Sequence, residues 1–477
     1  MTTNEAAGSQ QWWRRTPSNS MLWLYGVLLT GLAVRVLIWL QTGSTPLHIV
    51  DENHYARLAQ NLLAGNGFAI GPGQPTSMRP PLYPSLIASI WWLVGSESLQ
   101  AVRLFQIVLS LVNVVLIYSL GRMAFSGRAG LLAAALFCFY PSYVGFASLL
   151  YSEVVFLFLI SLAALTYLLM IRKVSVLFAM LTGVILGAAA LTRSVAWPFL
   201  LVLMPVLFFS IRVGIPRRLM FVFVVFLGFA LVVGPWSYRN TKLQGTFALV
   251  DTMGGFNLMM GNYEHTPRNR AWDAVALRGE LSWAHRLRQT EPDVRSWTDG
   301  QKEQWAREQA KEFMLANPGL TIERFLIKFA NFWGMERTII AGWQRGYYIP
   351  PMWLVVLGTV AIVFGYVAVV TLGAAGLFLS RPVDLNFERF AFVFAMVTCG
   401  LHSLVFGHPR YHLPLIPFLA LYSAALIQHM DWRRLGERRA ALVAAVLSIL
   451  LLSFIWAREI LFVEGARLTL FLERFGL

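Results

Sequence analysis

The sequence predicts an all-α polytopic membrane protein, a bundle of about eleven transmembrane helices (range 10–13). Interfacial helices are expected in its first outer loop, and a larger outer segment between the seventh and eighth spans. Three observations carry this. Hydrophobic residues make up 57% of the 477-residue chain and charged residues only 13%, where a soluble domain would carry about a quarter. Apolar runs long enough to cross a bilayer recur along the chain, and a helix satisfies its own backbone there. The cations between those runs are distributed unevenly, in the way that membrane insertion imposes.

The elements follow in order. Residues 1–20 form a polar cytoplasmic tail carrying Arg14 and Arg15, followed by a first span at 21–40. No small-residue cleavage site follows it, so it reads as an uncleaved signal anchor. Further spans are expected at 101–120, 129–147, 151–171, 175–192, 194–212 and 217–236, which complete an N-terminal membrane region over 21–236. Spans at 352–379, 388–406, 411–430 and 439–460 make a C-terminal membrane region over 352–460, and 461–477 is a tail. The stretch 81–95 is apolar but short and begins with proline.

Charge decides how that stretch lies. If it does not span and the N-terminus is cytoplasmic, fifteen arginines and lysines fall on inner segments. The short outer links after 147, 192 and 406 then hold only Arg193 and Arg410. A full span at 81–95 would invert this bias, so it is read as a helix at the outer interface. Two segments, 41–100 and 237–351, are then extracytoplasmic. In the second, Asn317-Pro318 reads as a helix start, and Leu320, Ile322, Phe325, Leu326, Phe329 and Phe332 follow at helical spacing. An amphipathic helix on the bundle or the lipid surface is expected there.

The net charge of +15 does not indicate nucleic acid, because the cations sit in short loops and not on one soluble face. Cys138 and Cys399 fall inside apolar spans and read as inert core thiols. There is no Walker, GxSxG or HExxH pattern, so ATP-driven transport, serine-hydrolase and zincin chemistry have no support.

Ionisable groups at membrane depth cost roughly 2.5 to 3.5 kcal/mol on insertion scales and are usually functional. The topology sends several to one face: Asp51 and Glu52 with His54 and Tyr55 in the first outer loop, Arg79 ahead of Pro80-Pro81 and Tyr83, and Glu153 at a span start. Arg193, Arg239, Arg410 and His412 join them from later links. Each has a plainer reading. Arg193 and Arg410 can snorkel to headgroups, Glu153 can answer a helix dipole, and Asp51 can cap a helix over 52–64. His402 reads as a core histidine. Gly254-Gly255-Phe256-Asn257 and Gly261-Asn262 bracket an apolar patch, where paired glycines usually mark a turn. Trp272, Trp283, Trp297, Trp305, Trp333 and Trp343 can stack on sugars, but interface anchoring is the better reading for most.

These motifs, in this order, resemble the GT-C membrane glycosyltransferases. The residues that carry the resemblance are Asp51-Glu52 with Tyr55-Ala56-Arg57-Leu58-Ala59, Arg79-Pro80-Pro81-Leu82-Tyr83-Pro84 and Leu191-Thr192-Arg193. Pro235-Trp236-Ser237-Tyr238-Arg239-Asn240, Gly254-Gly255-Phe256-Asn257-Leu258, Gly261-Asn262 and Pro409-Arg410-Tyr411-His412-Leu413-Pro414 extend it over most of the chain. The nearest group is the family 39-like enzymes, which includes protein O-mannosyltransferases, aminoarabinose transferases and lipopolysaccharide-core transferases.

The resemblance implies a GT-C-like bundle in the cell (inner or plasma) membrane and a sugar donor on a polyprenyl phosphate. The acceptor would be an envelope glycan, glycolipid or protein on the outer side. It implies Asp51 as catalytic base, with Glu52 and Glu153 beside it. Arg79, Arg193, Arg410, Tyr55, His54, Tyr83, Arg239, Asn257 and His412 would bind donor phosphate or substrate. Many relatives carry Lys where this chain has Arg79; Arg keeps a phosphate-binding role and adds a planar fork. No motif specifies a cofactor, and a divalent cation is compatible with the reaction. The rivals are a multipass transporter or flippase, for which repeat-related halves are missing, and a related glycan polymerase or ligase.

The chemistry asks for the same residue types. An acceptor hydroxyl attacking an anomeric carbon needs a base. The departing phosphate needs cations where its charge develops. Phosphate leaves readily, so the second carboxylic acid of glycoside hydrolysis is not required.

Overall fold

The computed structural model describes residues 18–42, 47, 49–344, 350–429 and 439–465. The N-terminal tail with Arg14 and Arg15, the cations Arg433, Arg434 and Arg438, and the C-terminal tail beyond 465 lie outside the described residues. The chain is a multi-pass helical membrane protein. Eight described helices are long and apolar enough to cross a membrane. They include α1 (Ser18–Gln41), α4 (Leu99–Ala124), α7 (Glu153–Lys173), α10 (Ile215–Gln244), α16 (Met352–Leu379), α17 (Leu385–Leu404) and α19 (Arg439–Arg458). The eighth combines a 3-10 turn at Pro409–Leu415 with α18 (Ile416–His429).

The other three expected spans are shorter. The run 129–147 is two helices, α5 (Gly127–Cys138) and α6 (Pro141–Phe146). Pro141 lacks an N–H to continue α5, so it starts a new helix at its own N1 position. Arg35, buried in α1, closes the break by donating to the Cys138 carbonyl at 2.9 Å. The runs 175–192 and 194–212 are the 15-residue helices α8 (Val176–Ala190) and α9 (Ala196–Ser210).

Small residues set the closest helix contacts. A Cβ on Gly183 of α8 would lie 2.1 Å from the Val225 carbonyl oxygen of α10. Without a hydrophobic drive between helices in lipid, such approaches supply the packing.

The loop between α1 and α4 holds α2 (Val50–Leu63), a small antiparallel hairpin of β1 (Ala69–Gly71) and β2 (Gln74–Pro75), and α3 (Leu82–Val94). The helix expected at 81–95 is α3. It packs on α2 and α4 and leaves Trp92, Leu93 and Val94 exposed. The N-cap of α2 is Ile49, and Glu52 supplies the capping-box carboxylate. Asp51 therefore does not cap α2; it lies in the first turn with its carboxylate on Arg79 and Arg410.

The segment 237–351, expected to be the outer one, contains α11 (Gly254–Gly261), α12 (Trp283–Thr290), α13 (Asp299–Ala316), α14 (Pro318–Phe332) and α15 (Thr338–Gln344). Gly254-Gly255 opens a helix and does not form a free turn. This segment has a core of its own around Phe256, Met259, Tyr263, Leu287 and Trp305. That core takes in three of the tryptophans expected to anchor at the interface, Trp283, Trp297 and Trp305. Trp305 is buried, Trp283 packs on Phe256 with ring centroids 4.8 Å apart, and Trp272 meets His408 at 4.9 Å.

Contacts sort the helix ends into two groups. At one end Arg172 of α7 pairs with Asp384 at 2.7 Å and donates to the Met123 carbonyl. At the other, the outer segment's Arg337 and Arg270 pair with Glu464, and Arg337 also with Glu459, beyond the last helix. Asp51, Glu153, Arg193 and Arg410 gather at this second end.

Candidate active site

Five side chains form one alternating chain of charge. Arg79 donates from Nη2 to Asp51 Oδ1 at 2.6 Å. Arg410 donates from Nη2 to Asp51 Oδ2 at 3.4 Å. The Arg410 Nε lies 3.4 Å from Glu153 Oε1, and Arg193 Nη1 pairs with that oxygen at 2.7 Å. The contacts at Glu153 are ion pairs by distance but not by angle, for neither carboxylate oxygen of Glu153 has a well-aligned donor. Three guanidinium groups against two carboxylates leave the cluster one positive charge in excess. Aromatic faces hold the arginines: Arg410 lies 4.9 Å from the Tyr151 ring centroid, and Arg193 5.8 Å from that of Tyr411.

This chain lines a cavity of about 480 Å3. Its walls also carry Tyr55, Asn257, His402, Tyr411, Asp251 and the outer segment's Glu303 and Arg307. Burial alone would raise the Asp51 carboxyl, but Arg79, Arg410 and Arg193 outweigh it and bring it down to about 2. Asp251 goes the other way, pushed up by burial against the Met253 amide, Ser194 and Arg79.

Several expected site residues stand behind this surface. Glu52 is buried and points away from the cavity cations: its Oε1 accepts from the Leu150 amide at 2.9 Å and its Oε2 from the Ile49 amide at 3.4 Å. It thereby fixes α2 on the loop that delivers Tyr151 and Glu153. Tyr83 donates to Gln106 Oε1 at 2.8 Å and meets Tyr55 edge-on at 4.9 Å. Gln106 in turn donates to the Leu149 carbonyl, so two independent links hold that loop. Arg239 pins the hairpin, donating to the carbonyls of Thr76 at 2.6 Å and Phe68 at 3.0 Å while its guanidinium lies over Trp236. The turn to Arg79 is thus set by α10. His54 lines a small adjoining pocket with Arg57, Met78 and Arg79, and burial and Arg79 lower its basicity. His412 is buried outside the cavity, with Nδ1 2.8 Å from the Phe332 carbonyl and its ring on Tyr366.

Tyr151, Asp251, Glu303, Arg307 and His402 were not singled out from the sequence as site residues. His402 lines the cavity with its ring tilted on Tyr411 at 4.4 Å, and its Nδ1 is satisfied at 2.7 Å by the Thr398 carbonyl, as the core reading expected. Tyr151, two residues ahead of Glu153, was the one with a readable signal. Among the described residues no group of three or more His, Cys, Asp or Glu side chains converges as a metal site.

Comparison with known proteins adds to this geometry. Residues 78–238 match the family model described as dolichyl-phosphate-mannose-protein mannosyltransferase. The apo oligosaccharyltransferase of Archaeoglobus fulgidus superposes with a TM-score of 0.50 at 15% identity, over 93% of this chain and 56% of that one. The fold is that of the GT-C membrane glycosyltransferases. This chain therefore spans a little over half the length of that oligosaccharyltransferase. ArnT from Cupriavidus metallidurans bound to undecaprenyl phosphate gives a TM-score of 0.49 at 16% identity, over 88% of this chain and 64% of that one. The S. cerevisiae Pmt1-Pmt2 complex bound to the sugar donor gives 0.41 at 16% identity, over 55% and 39%. No curated protein matches the chain. The GT-C fold is where the motif order pointed, and the matched segment begins one residue before Arg79 and ends one before Arg239.

Proposed function

We propose that this protein is an inverting glycosyltransferase that moves a sugar from a polyprenyl-phosphate donor to an acceptor hydroxyl at the extracytoplasmic surface. The observation that carries this reading is the alternating chain from Arg79 through Asp51, Arg410 and Glu153 to Arg193, lining one cavity. Its excess positive charge suits a phosphate, and a phosphate that draws the arginines to itself leaves the Asp51 carboxylate a better acceptor for a hydroxyl proton.

The reaction is a single displacement. The acceptor oxygen forms a bond to the anomeric carbon as the bond from that carbon to the phosphate oxygen breaks. The acceptor proton passes to Asp51, and the electron pair leaves with the phosphate. Arg79, Arg193 and Arg410 stabilise that charge in a site fixed beforehand. Attack opposite the leaving group inverts the anomeric centre. Glu153 orients Arg193 and Arg410; Glu52, Tyr83 and Arg239 hold the first loop and its neighbours in place. Asn257 and Tyr55, on the cavity wall, are within the space the sugar would fill.

The deciding experiment supplies purified protein in lipid with a panel of polyprenyl-phosphate sugars and acceptors and measures transfer and product anomer. Transfer with inversion is the expected result. Retention would remove the mechanism, and no transfer from any polyprenyl-phosphate sugar would remove the function.

Sidedness has its own test. Single cysteines replacing Gln74, Ser296, Arg128 and Arg381, all exposed, are placed in a background lacking Cys138 and Cys399. On intact cells an impermeant thiol reagent is expected to label the first two and spare the others, as the positive-inside distribution requires. Labelling at Arg128→Cys but not Ser296→Cys would put the cavity on the cytoplasmic side.

A further inference from the structure

Helix α14 is built inside out. Its outward stripe is apolar: Ile322 is 63% exposed and Leu326 60% exposed, with Phe325 between them and Leu315 one turn before the helix. Its inward face carries Arg324, Lys328 and Asn331, all buried, with Phe332 at the helix end the one fully buried apolar side chain. A helix on a soluble domain would show the reverse pattern. The inward groups therefore need a reason for being there, and Lys328 has the most exacting one.

The Lys328 ammonium sits among four oxygens from two other elements. Nζ lies 2.7 Å from the Leu404 carbonyl oxygen, 3.3 Å from that of Val405, 3.1 Å from that of Gly261 and 2.8 Å from Asn262 Oδ1. Leu404 ends α17, and Gly261 ends α11. Both helices thus direct the negative end of their dipole and their unpaired terminal carbonyls at one cation. Among the described residues no carboxylate pairs with Lys328. Burial and the Arg324 guanidinium press it down to about 7; four acceptor oxygens favour its charged form.

The junction is tight. A Cβ on Gly261 would lie 2.0 Å from the Val405 carbonyl oxygen, so only glycine lets α11 meet the end of α17 this closely. Asn262 reinforces it by donating to the Leu404 carbonyl at 2.9 Å. This gives the Gly261-Asn262 pair its physical role. The two clamped helices carry a shared stretch of cavity wall: Asn257 from α11, and His402, Val405 and Phe406 from α17 and the turn leading to Arg410.

We infer that Lys328 is a positioning residue for the substrate cavity, an internal cation that locks the ends of α11 and α17 together and so sets where Asn257, His402 and Arg410 stand. This deepens the proposed function and rests on it for the identity of the substrate. Lys328 itself does not line the cavity.

The test compares wild type, Lys328→Met and Lys328→Gln in lipid, with two readouts. The first is amide hydrogen exchange. In Lys328→Met, protection is expected to fall in 254–262 and 401–407 while α4 keeps wild-type protection. Lys328→Gln keeps two N–H donors and is expected to fall between the two, which keeps the comparison informative if the Met variant does not fold. The second is binding of undecaprenyl phosphate alone, followed by kinetics. Affinity is expected to drop about tenfold in Lys328→Met, with donor KM rising by a similar factor and kcat changing less, since the binding groups remain but are displaced. A merely structural lysine would lower the melting temperature and leave the folded protein's KM unchanged, and that result would overturn the inference. So would wild-type protection at 254–262 and 401–407 in both variants. Exchange and phosphate binding need no sugar transfer, so a failure of the proposed reaction is told apart from a failure of the clamp.

Discussion

Replacing Asp51 with asparagine is expected to cut sugar transfer by about 10²-fold or more, while undecaprenyl phosphate binds more tightly than to the wild type. The first effect follows from loss of the base. The second follows from the geometry. Both oxygens of Asp51 are engaged by Arg79 and Arg410, two of the three cations proposed to receive the donor phosphate. Phosphate and Asp51 compete for the same guanidinium groups. Removing the carboxylate's charge frees them, and a gain on the order of tenfold in affinity is a modest share of one ion-pair interaction at a partly buried site. Unchanged or weaker phosphate binding in Asp51→Asn, or near-normal transfer, would sink the assignment.

The same competition has a pH signature. In the free protein Asp51 is held at about 2, too weak a base to draw a proton from a hydroxyl efficiently near neutrality. A bound phosphate draws Arg79 and Arg410 towards itself and adds negative charge beside Asp51. Both effects raise the carboxyl's affinity for a proton. The acid limb of kcat, which reports the complex, is therefore expected at higher pH than the acid limb of kcat/KM, which reports the free enzyme. The stability sign is the opposite of a histidine's. A carboxylate depressed to about 2 contributes stability that is present above its unfolded value and is lost as pH falls through the folded one. Asp51 thus causes no loss of fold near neutral pH.

How much of this was legible in the sequence depends on what makes a residue stand out. In so apolar a chain, Asp51, Glu153, Arg193 and Arg410 were conspicuous because each is an ionisable group beside a hydrophobic run. The charge bias then placed them at one end without any knowledge of contacts, and the helix ends group in the same way in three dimensions. Pairing was not legible. Arg410 and Asp51 are 359 positions apart, and nothing local records that they meet. Nor was the division between lining and supporting groups. Glu52 adjoins Asp51, yet a helix turns neighbouring residues about 100° apart, and this one faces the Leu150 amide. Arg239 carries as much charge as Arg193, and His412 is a titratable group beside an apolar run, but the fold directs both to backbone carbonyls. Lys328 escaped notice for a related reason. The periodic apolar residues of α14 drew attention to a helix on the bundle or the lipid surface, and of that stripe Ile322, Phe325 and Leu326 face outwards while Phe332 is buried.

Arg410→Ala is expected to be the most damaging of the three arginine replacements. Each guanidinium contributes a charge-assisted contact to the phosphate, and losing one typically costs about 1.5 to 3 kcal/mol. Arg410 does more, because it alone touches both carboxylates, with Asp51 on one side and Glu153 on the other. Its removal leaves Glu153, which is only 2% exposed, with Arg193 as its sole ion-pair partner. It also leaves Asp51 with Arg79 alone, so the two halves of the charged chain no longer constrain each other. Arg79→Ala and Arg193→Ala each remove a terminal member and leave the remaining links intact. The expected order in lost donor affinity and rate is therefore Arg410 first, with Arg79 and Arg193 behind. The Arg79→Ala/Arg410→Ala double variant should lose less than the sum of the singles, because the two share Asp51. Phosphate-binding titrations and initial rates on the four variants give the comparison. Equal, wild-type values in all three single variants would make the arginines headgroup anchors with no part in the chemistry, and strict additivity would separate Arg79 from the chain.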